Sequence, residues 1–133
     1  MDSSLIDVDT TARTVVDLTA EISRFCASHG DGLVNVFAPH ATAGLALIET
    51  GSGSDRDLVE ALGRLLPRDD RYLHRHGAEG HGADHLLPAL ISPSLSIPVL
   101  AGRVQLGTWQ SVVLVDTNGD NPRRQVRLSF LDG

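Results

Sequence analysis

Residues 94–110 read SLSIPVLAGRVQLGTWQ, and this stretch decides the fold. It contains two apolar β-type segments, Leu95–Leu100 and Arg103–Leu106, separated by a glycine-containing turn of hairpin length. A second turn at Gly107-Thr108 leads into a further β-type segment, Gln110–Asp116. The carboxy-terminal part of the chain is therefore predicted to consist of short antiparallel strands that follow one another directly.

The amino-terminal part adds helices to these strands. One predicted helix begins with Thr19 as its N-cap and ends with Gly30 as its C-cap. Another runs from about Ser54 to Leu66, where Ser54 and Asp57 form a pair similar to a capping box. The remaining predictions are a short helix Ala83–Ile91 with Pro88 in its first turn, and the strands Leu5–Val8, Arg13–Val16, Leu33–Ala38, Gly44–Glu49 and Gln125–Phe130.

This order of elements predicts the fold class. Two or three helices among about seven strands joined by hairpin-length turns indicate an α+β protein with mainly antiparallel, β-sandwich-like sheets. The length of 133 residues fits a single domain over residues 1–133. No alternating βαβ pattern and no Gly-x-Gly-x-x-Gly motif is present, so a Rossmann-type or P-loop nucleotide site has no support.

Composition excludes several classes of function. The net charge is −6 and all 11 basic residues are arginines, so no Schiff-base lysine, P-loop lysine or lysine base exists. The negative charge also argues against nucleic-acid binding. Cys26 is the only cysteine and is predicted to lie in the core, and no signal peptide or membrane-length apolar run is visible. We therefore expect a cytoplasmic protein without a membrane partner.

Histidines are the first candidates for chemistry. Four of the six histidines lie between His74 and His85, in a polar, glycine-rich stretch, and His40 lies in a corner between two predicted strands. Neutral imidazole is a common ligand for zinc and other transition metals and carries protons near neutral pH. Spacing alone leaves two interpretations open, a metal or catalytic site and an ordinary solvated loop.

Carboxylates near these histidines form the second group of candidates. The group is Glu49, Asp55, Asp57, Glu79 and Asp84. Glu49 ends an apolar strand, so it is either exposed at a sheet edge or placed there for a functional role. For each of these residues a solvated surface charge is the alternative.

Two further features allow both a structural and a functional interpretation. Gly107-Thr108-Trp109-Gln110 is typical of a bulge or tight turn with a buried aromatic residue. The neighbouring Arg123 and Arg124 are able to clamp a phosphate group in bidentate fashion, or to protect an exposed strand edge from aggregation.

Taken together in chain order, these segments resemble the YjbQ-like family, also called the secondary thiamine-phosphate synthase family. The long stretch 94–110, ending in Gly-Thr-Trp-Gln, is similar to the signature of that family. His40-Ala41-Thr42-Ala43-Gly44-Leu45 is similar to its His-Thr-Ser-Ala-Gly stretch, and Glu49 falls where the family has a glutamate. His74, two residues after Tyr72, and His85, directly after Asp84, match its two downstream histidines.

The resemblance implies a β-sandwich-like α+β fold, a homotrimer, and a pocket in which His40, His74 and His85 hold a divalent metal, Zn or Mg, or a small anion. It also implies a thiamine-phosphate synthase activity, which joins a pyrimidine diphosphate to a thiazole phosphate and releases pyrophosphate. In that reaction His40, His85 and Glu49 are the expected catalytic residues. Residues expected to bind the phosphate-bearing ligand are Thr108, Gln110, Arg123 and Arg124.

Departures from the family pattern keep an alternative function open. Ile48 and Leu87 stand where an asparagine and a lysine are usual, and the stretch after Glu49 lacks an acidic residue. The alternative is a non-catalytic trimer that binds a metal or small anion in a regulatory or scavenging role. His76 and His81 match nothing in the family pattern and are predicted to be loop residues.

Overall fold

The computed structural model describes all 133 residues and contains eight strands and three helices. The helices are α1 (Thr19–Cys26), α2 (Ser54–Leu65) and α3 (His81–Leu90). The strands are β1 (Asp2–Asp9), β2 (Val15–Asp17), β3 (Gly32–Phe37), β4 (Ala43–Ile48), β5 (Ser94–Leu100), β6 (Arg103–Val104), β7 (Ser111–Asp116) and β8 (Arg123–Asp132).

The strands form two sheets in which every pairing is antiparallel. The larger sheet has the order β1-β8-β3-β5-β6, and the smaller has the order β2-β7-β4. The hairpin predicted from residues 94–110 is present as β5 and β6, with Val99 opposite Val104. The mainly antiparallel α+β prediction is confirmed.

Strand β7 joins two hydrophobic clusters because successive side chains of a strand point to opposite faces. Val112 and Leu114 pack in the main core between the two sheets, which also contains Cys26. Val113 and Val115 pack on the other face, where α2 and α3 cover the smaller sheet. The layers are therefore the large sheet, the small sheet and a helical layer formed by α2 and α3.

Three helix predictions need correction. Helix α1 ends at Cys26 with Ala27 as its C-cap, four residues before the glycine that was expected to end it. Helix α2 has Gly53 at its N-cap, at φ 102°, and makes no side-chain capping hydrogen bond. Helix α3 begins at His81 and places Pro88 near its end, where the missing N–H affects only the final turn.

Trp109 is also not where the sequence predicted. Its side chain is 72% exposed rather than buried. The turn that carries it is closed by Gln110, whose N–H donates to the Gly107 carbonyl oxygen at 3.0 Å and whose Oε1 accepts from the Gly107 N–H at 2.8 Å. Separately, none of the helices combines the length and the apolar character that crossing a lipid bilayer requires.

Candidate functional site

Three histidines come together at the start of α3. His81 and His85 lie one helical turn apart and face each other, with 3.0 Å between their Nε2 atoms. His74 approaches from the preceding loop, with its ring centroid 3.9 Å from that of His85. One ligand atom from each of the three residues lies within 4.8 Å of the other two. We call these three residues the histidine cluster.

The nitrogens of the histidine cluster lack enough protein partners. His74 Nε2 is buried and has no hydrogen-bond partner. A buried polar atom without a partner is uncommon and points to an ion or water as its partner. Tetrahedral zinc with Zn–N bonds of about 2.0–2.1 Å separates its ligand nitrogens by about 3.4 Å. The observed 3.0 Å between the Nε2 atoms of His81 and His85 is close to that separation. The full set is looser, with ligand atoms within 4.8 Å of one another, so small side-chain movements would be needed for the three residues to hold a metal of this class.

The local environment favours the neutral form of two of these imidazoles by lowering their pKa values. Burial lowers the pKa of His74, and the neighbouring His76 and His81 lower it further. The pKa of His85 is lowered in the same way, first by burial and then by the adjacent imidazoles. Only neutral imidazole binds a metal ion, so these shifts extend the pH range in which the cluster can act as a ligand set.

Asp120 supports the cluster from behind. Its Oδ2 lies 3.2 Å from His81 Nδ1 and accepts from the Ala78 N–H at 3.3 Å. The Asp120 N–H in turn donates to Asn118 Oδ1 at 2.9 Å. The contact is one of charge without hydrogen-bond geometry, since His81 Nδ1 has no hydrogen-bond partner. A carboxylate near the outer nitrogen of a ligating histidine is nevertheless the kind of neighbour usual around zinc. Asp120 was not among the residues that the sequence singled out.

A buried ion pair fixes the first turn of α3. Asp84 is 1% exposed and accepts hydrogen bonds from the Arg68 guanidinium and, at 2.6 Å, from Thr117 Oγ1. Arg68 stands at the start of the histidine-rich loop, and Thr117 follows β7. The pair therefore ties α3 both to the loop and to the small sheet, one residue before His85.

Close packing against Gly82 holds His74 in place. A Cβ atom at position 82 would lie 2.5 Å from the His74 carbonyl oxygen and 2.6 Å from the Tyr72 Cβ. Distances this short do not occur between non-bonded atoms, so only glycine allows the loop to pass this near to α3. The hydroxyl of Tyr72 donates to the Pro67 carbonyl oxygen at 2.7 Å, which closes the loop on itself.

His40 lies apart from the histidine cluster in the single chain, and its grouping with His74 and His85 stays a prediction. Its Nε2 lies 3.0 Å from the backbone nitrogen and 2.9 Å from the carbonyl oxygen of Gln125, on β8. Burial lowers its pKa. It lines a separate hollow of about 600 Å³ together with Arg123 and neighbouring residues.

The two adjacent arginines on β8 differ in environment. Arg124 is 4% exposed, and its guanidinium donates to both carboxylate oxygens of Asp116 and to Thr42 Oγ1. These bonds occupy it in a buried ion pair, so its evident role is structural. Arg123 is exposed on the strand pair β1–β8, opposite Asp9. Of the two arginines expected to clamp a phosphate group, only Arg123 is therefore available to bind one.

Glu49, Thr108 and Gln110 lie outside the histidine cluster. Glu49 follows β4 and accepts a hydrogen bond from Ser52 Oγ at 3.2 Å. Thr108 and Gln110 are exposed in the turn before β7. None of the three is hydrogen-bonded to a histidine of the cluster. Their expected catalytic and ligand-binding roles remain predictions.

The sequence contained a signal for His81 that the family pattern did not use. His81 and His85 are four residues apart, and residues at this spacing share one face of a helix. The signal was missed because the helix was predicted to begin at Ala83, after His81. His81 is therefore the first residue of α3 rather than a loop residue, whereas His76 lies in the loop as predicted.

Comparisons with known proteins place the chain in a family. The family model described as UPF0047 protein YjbQ-like matches residues 4–133. The UPF0047 protein Rv2556c from Mycobacterium tuberculosis is 65% identical over 133 residues, with both chains fully covered. A UPF0047 protein from Archaeoglobus fulgidus is 32% identical over 112 residues, which cover 84% of this chain and 87% of the relative.

Solved structures agree with the sequence comparisons. The crystal structure of a hypothetical protein from Aeropyrum pernix K1 has a TM-score of 0.88 at 30% identity and covers 100% of both chains. A YbjQ-like protein of unknown function from Sulfolobus solfataricus P2 shares the fold, with a TM-score of 0.90 at 23% identity, over 99% of this chain and 97% of that one. The chain therefore belongs to the UPF0047 YjbQ-like family.

Proposed function

We propose that the histidine cluster binds a divalent transition-metal ion, with zinc as the first candidate. The observation that carries the proposal is the buried Nε2 of His74, which has no protein partner, on a ring whose centroid lies 3.9 Å from that of His85. His85 in turn faces His81, with 3.0 Å between their Nε2 atoms. Magnesium, the other ion expected from the sequence, prefers oxygen ligands and keeps much of its water. A site made of three imidazoles therefore favours zinc.

Three protein ligands leave one position of a tetrahedral ion open, as in catalytic zinc sites. A metal held there supplies Lewis-acid stabilisation of a bound phosphate oxygen or of a water molecule. The contribution of the chain is to hold three imidazoles together, two of them with a pKa lowered by burial and by neighbouring imidazoles, and to place the Asp120 carboxylate beside His81. A small phosphate-bearing or other anionic molecule is the substrate class that this open position suits.

The proposed reaction, formation of thiamine phosphate from a pyrimidine diphosphate and a thiazole phosphate, rests on the family resemblance. Its leaving pyrophosphate requires positive charge. The chain has no lysine, and Arg124 is already paired with Asp116. Leu87, where the family usually has lysine, is 1% exposed in the core beneath α3. The positive charge would therefore have to come mainly from the metal. We further propose that the protein is cytoplasmic.

We also propose that the chain assembles as a homotrimer. Support comes from the outer face of the large sheet, where a group of large apolar side chains is exposed on β1, β3 and β8: Leu5, Leu33, Phe37 and Leu131. Exposed apolar groups of this kind are typical of protein interfaces. Sedimentation equilibrium measures the mass directly. A Leu33→Glu, Phe37→Glu variant is expected to give monomers, and a wild-type monomer would refute the assembly.

Metal analysis with matched variants tests the site. Protein purified without chelator is expected to bind one zinc ion per chain, measured by titration against a chromophoric chelator. Replacement of His74 or His81 by alanine should weaken binding by at least about 100-fold, since even supporting residues contribute about 10–100-fold. His40→Ala is the matched control and should retain the affinity. Equal loss in His40→Ala would favour the predicted His40, His74, His85 grouping instead.

Activity is tested separately from metal binding. Zinc-loaded protein is incubated with the two substrates, and thiamine phosphate is measured against the His85→Ala variant. Product above that background supports the transferase. Stoichiometric zinc binding without product would leave the non-catalytic metal-binding function and end the proposal of a thiamine-phosphate synthase.

A further inference from the structure

A second cavity lies in the helical layer, and Arg68 of the Arg68–Asp84 ion pair is among its lining residues. It has a volume of about 260 Å³ and is lined mainly by apolar side chains of α2 and α3, including Leu62, Leu66 and Leu87. Arg68 and Thr117 are polar residues that also line it. We call this cavity the α2–α3 cleft.

The cleft adjoins a hollow that contains free positive charge. Thr14 and Val59 line both the cleft and an adjoining hollow of about 530 Å³ that also contains Arg13, Arg56 and Asp55. Arg13 and Arg56 are exposed and make no ion pair. The arginines that do form ion pairs are Arg64, Arg68, Arg71 and Arg124. With one carboxylate beside two free guanidinium groups, the mouth of the cleft carries a net positive charge.

Gly63 keeps the wall of the cleft open. It lies inside α2 and its φ is not positive, so its backbone conformation is open to any residue. A Cβ atom at this position would meet nothing within 4 Å. Glycine inside a helix destabilises it relative to alanine. Packing does not require glycine here, and a larger side chain at this position would extend into the open space of the cleft.

We propose that the α2–α3 cleft binds a small amphiphilic anion, with its apolar tail between α2 and α3 and its carboxylate or similar head between Arg13 and Arg56. Small-molecule sites are typically apolar clefts with a few polar groups that fix orientation. At roughly 30 Å³ for each water-sized unit, the volume of about 260 Å³ holds a molecule of about nine non-hydrogen atoms. This suits a medium-chain monocarboxylate. The site is separate from the histidine cluster and does not depend on metal binding.

The test uses sodium octanoate, below its micelle-forming concentration, with the full-length protein. Amide shifts in ¹⁵N spectra locate the binding, and calorimetry gives Kd. We expect saturable binding with shifts confined to α2, α3 and the segment around Thr14. Octanol, which has the same tail without the charge, should bind about tenfold more weakly because it cannot pair with the two arginines.

Variants separate the tail site from the head site. Gly63→Leu should abolish octanoate binding while the melting temperature stays the same or rises. If that variant folds poorly, Gly63→Ala gives a smaller intrusion and should weaken binding measurably. Arg13→Gln and Arg56→Gln should each raise Kd by about two- to fivefold, the range for an exposed charge pair. Arg24→Gln, an exposed helical arginine on α1, is the matched control and should change nothing.

Two results would overturn the proposal. The first is equal octanoate affinity in folded Gly63→Leu, which would put the tail elsewhere. The second is a lack of dependence on charge, seen either as equal affinity for octanol and octanoate or as an unchanged octanoate Kd in Arg13→Gln and Arg56→Gln. Such a result would leave an apolar cavity with no anion recognition.

Discussion

Removing Arg68 should destabilise the protein more than neutralising its partner Asp84. The two residues differ in exposure, because the Arg68 side chain is 39% exposed and that of Asp84 is 1% exposed. Arg68→Ala leaves a buried carboxylate with Thr117 as its only side-chain donor. Asp84→Asn leaves a guanidinium that water already reaches, and the amide oxygen still accepts from Thr117.

The magnitudes follow from these environments. Breaking a buried ion pair by removing one partner costs about 3–5 kcal/mol. Because Arg68 is partly exposed, we expect the lower end for Arg68→Ala, about 3 kcal/mol, equivalent to a decrease in melting temperature of roughly 10 °C for a domain of this size. For Asp84→Asn we expect about 1–1.5 kcal/mol, the value of a hydrogen bond weakened rather than a charge left unpaired.

Urea unfolding followed by circular dichroism measures both free energies of unfolding, with an unchanged dependence on urea as the check for two-state behaviour. Arg64→Ala, in an exposed ion pair with Glu60, is the matched control and should cost less than about 1 kcal/mol. The reasoning fails if Asp84→Asn costs as much as Arg68→Ala, or if Arg68→Ala resembles the control.

Three further predictions concern the cluster and the cleft. Asp120→Asn should weaken zinc binding by about tenfold without unfolding the protein, because it removes only the charge behind His81; chelator competition measures this. The metal-free protein should lose stability as the pH falls below about 6.5. The reason is that the folded-state pKa values of His74 and His85 are lowered, so the unfolded chain binds more protons than the folded chain in this range. The urea midpoints at pH 7.5 and 5.5 should therefore differ less in a variant with both histidines replaced by glutamine than in the wild type. Gly63→Ala should stabilise the protein by about 0.5–1 kcal/mol in thermal unfolding, since its added Cβ meets no atom.

The sequence predicted the strands well where burial has a simple pattern. The apolar run of β7, Val112–Val115, is buried on both faces, and the hairpin of β5 and β6 is marked by its turn. The order of strands in the sheets was beyond the sequence. Strand β8 lies between β1 and β3, so it joins the two ends of the chain. Such pairings depend on contacts distant in sequence, which local patterns do not encode.

Helix ends and turn exposure were predicted less well, for physical reasons that lie outside the local sequence. The start of α3 at His81 depends on Gly80, at φ 84°, and on the ion pair of Asp84 with Arg68, sixteen residues away. The exposure of Trp109 depends on a turn that Gln110 closes with Gly107, which directs the indole into solvent. An aromatic residue is usually buried, and here the local turn geometry outweighs that preference.

The candidate site was predicted in part. Two of the three residues of the cluster, His74 and His85, were named from the sequence, and the third, His81, was assigned to the loop. The proximity of His74 to His85 depends on how the loop folds back over Gly82, which sequence spacing does not reveal. His40 was grouped with them by resemblance, and in the single chain it is held instead by the backbone of β8.

The end of β7 and the turn that follows it contain no histidine, yet this segment contacts both regions that do. Asp116 pairs with Arg124 in the main core, beside the corner that carries His40. The next residue, Thr117, donates to Asp84 on α3, and Asp120 stands behind His81. Successive residues at the end of a strand point to opposite sides, so one short segment is bonded both to the sheet core and to the helical layer. A change in this segment is therefore expected to alter the surroundings of both His40 and the histidine cluster.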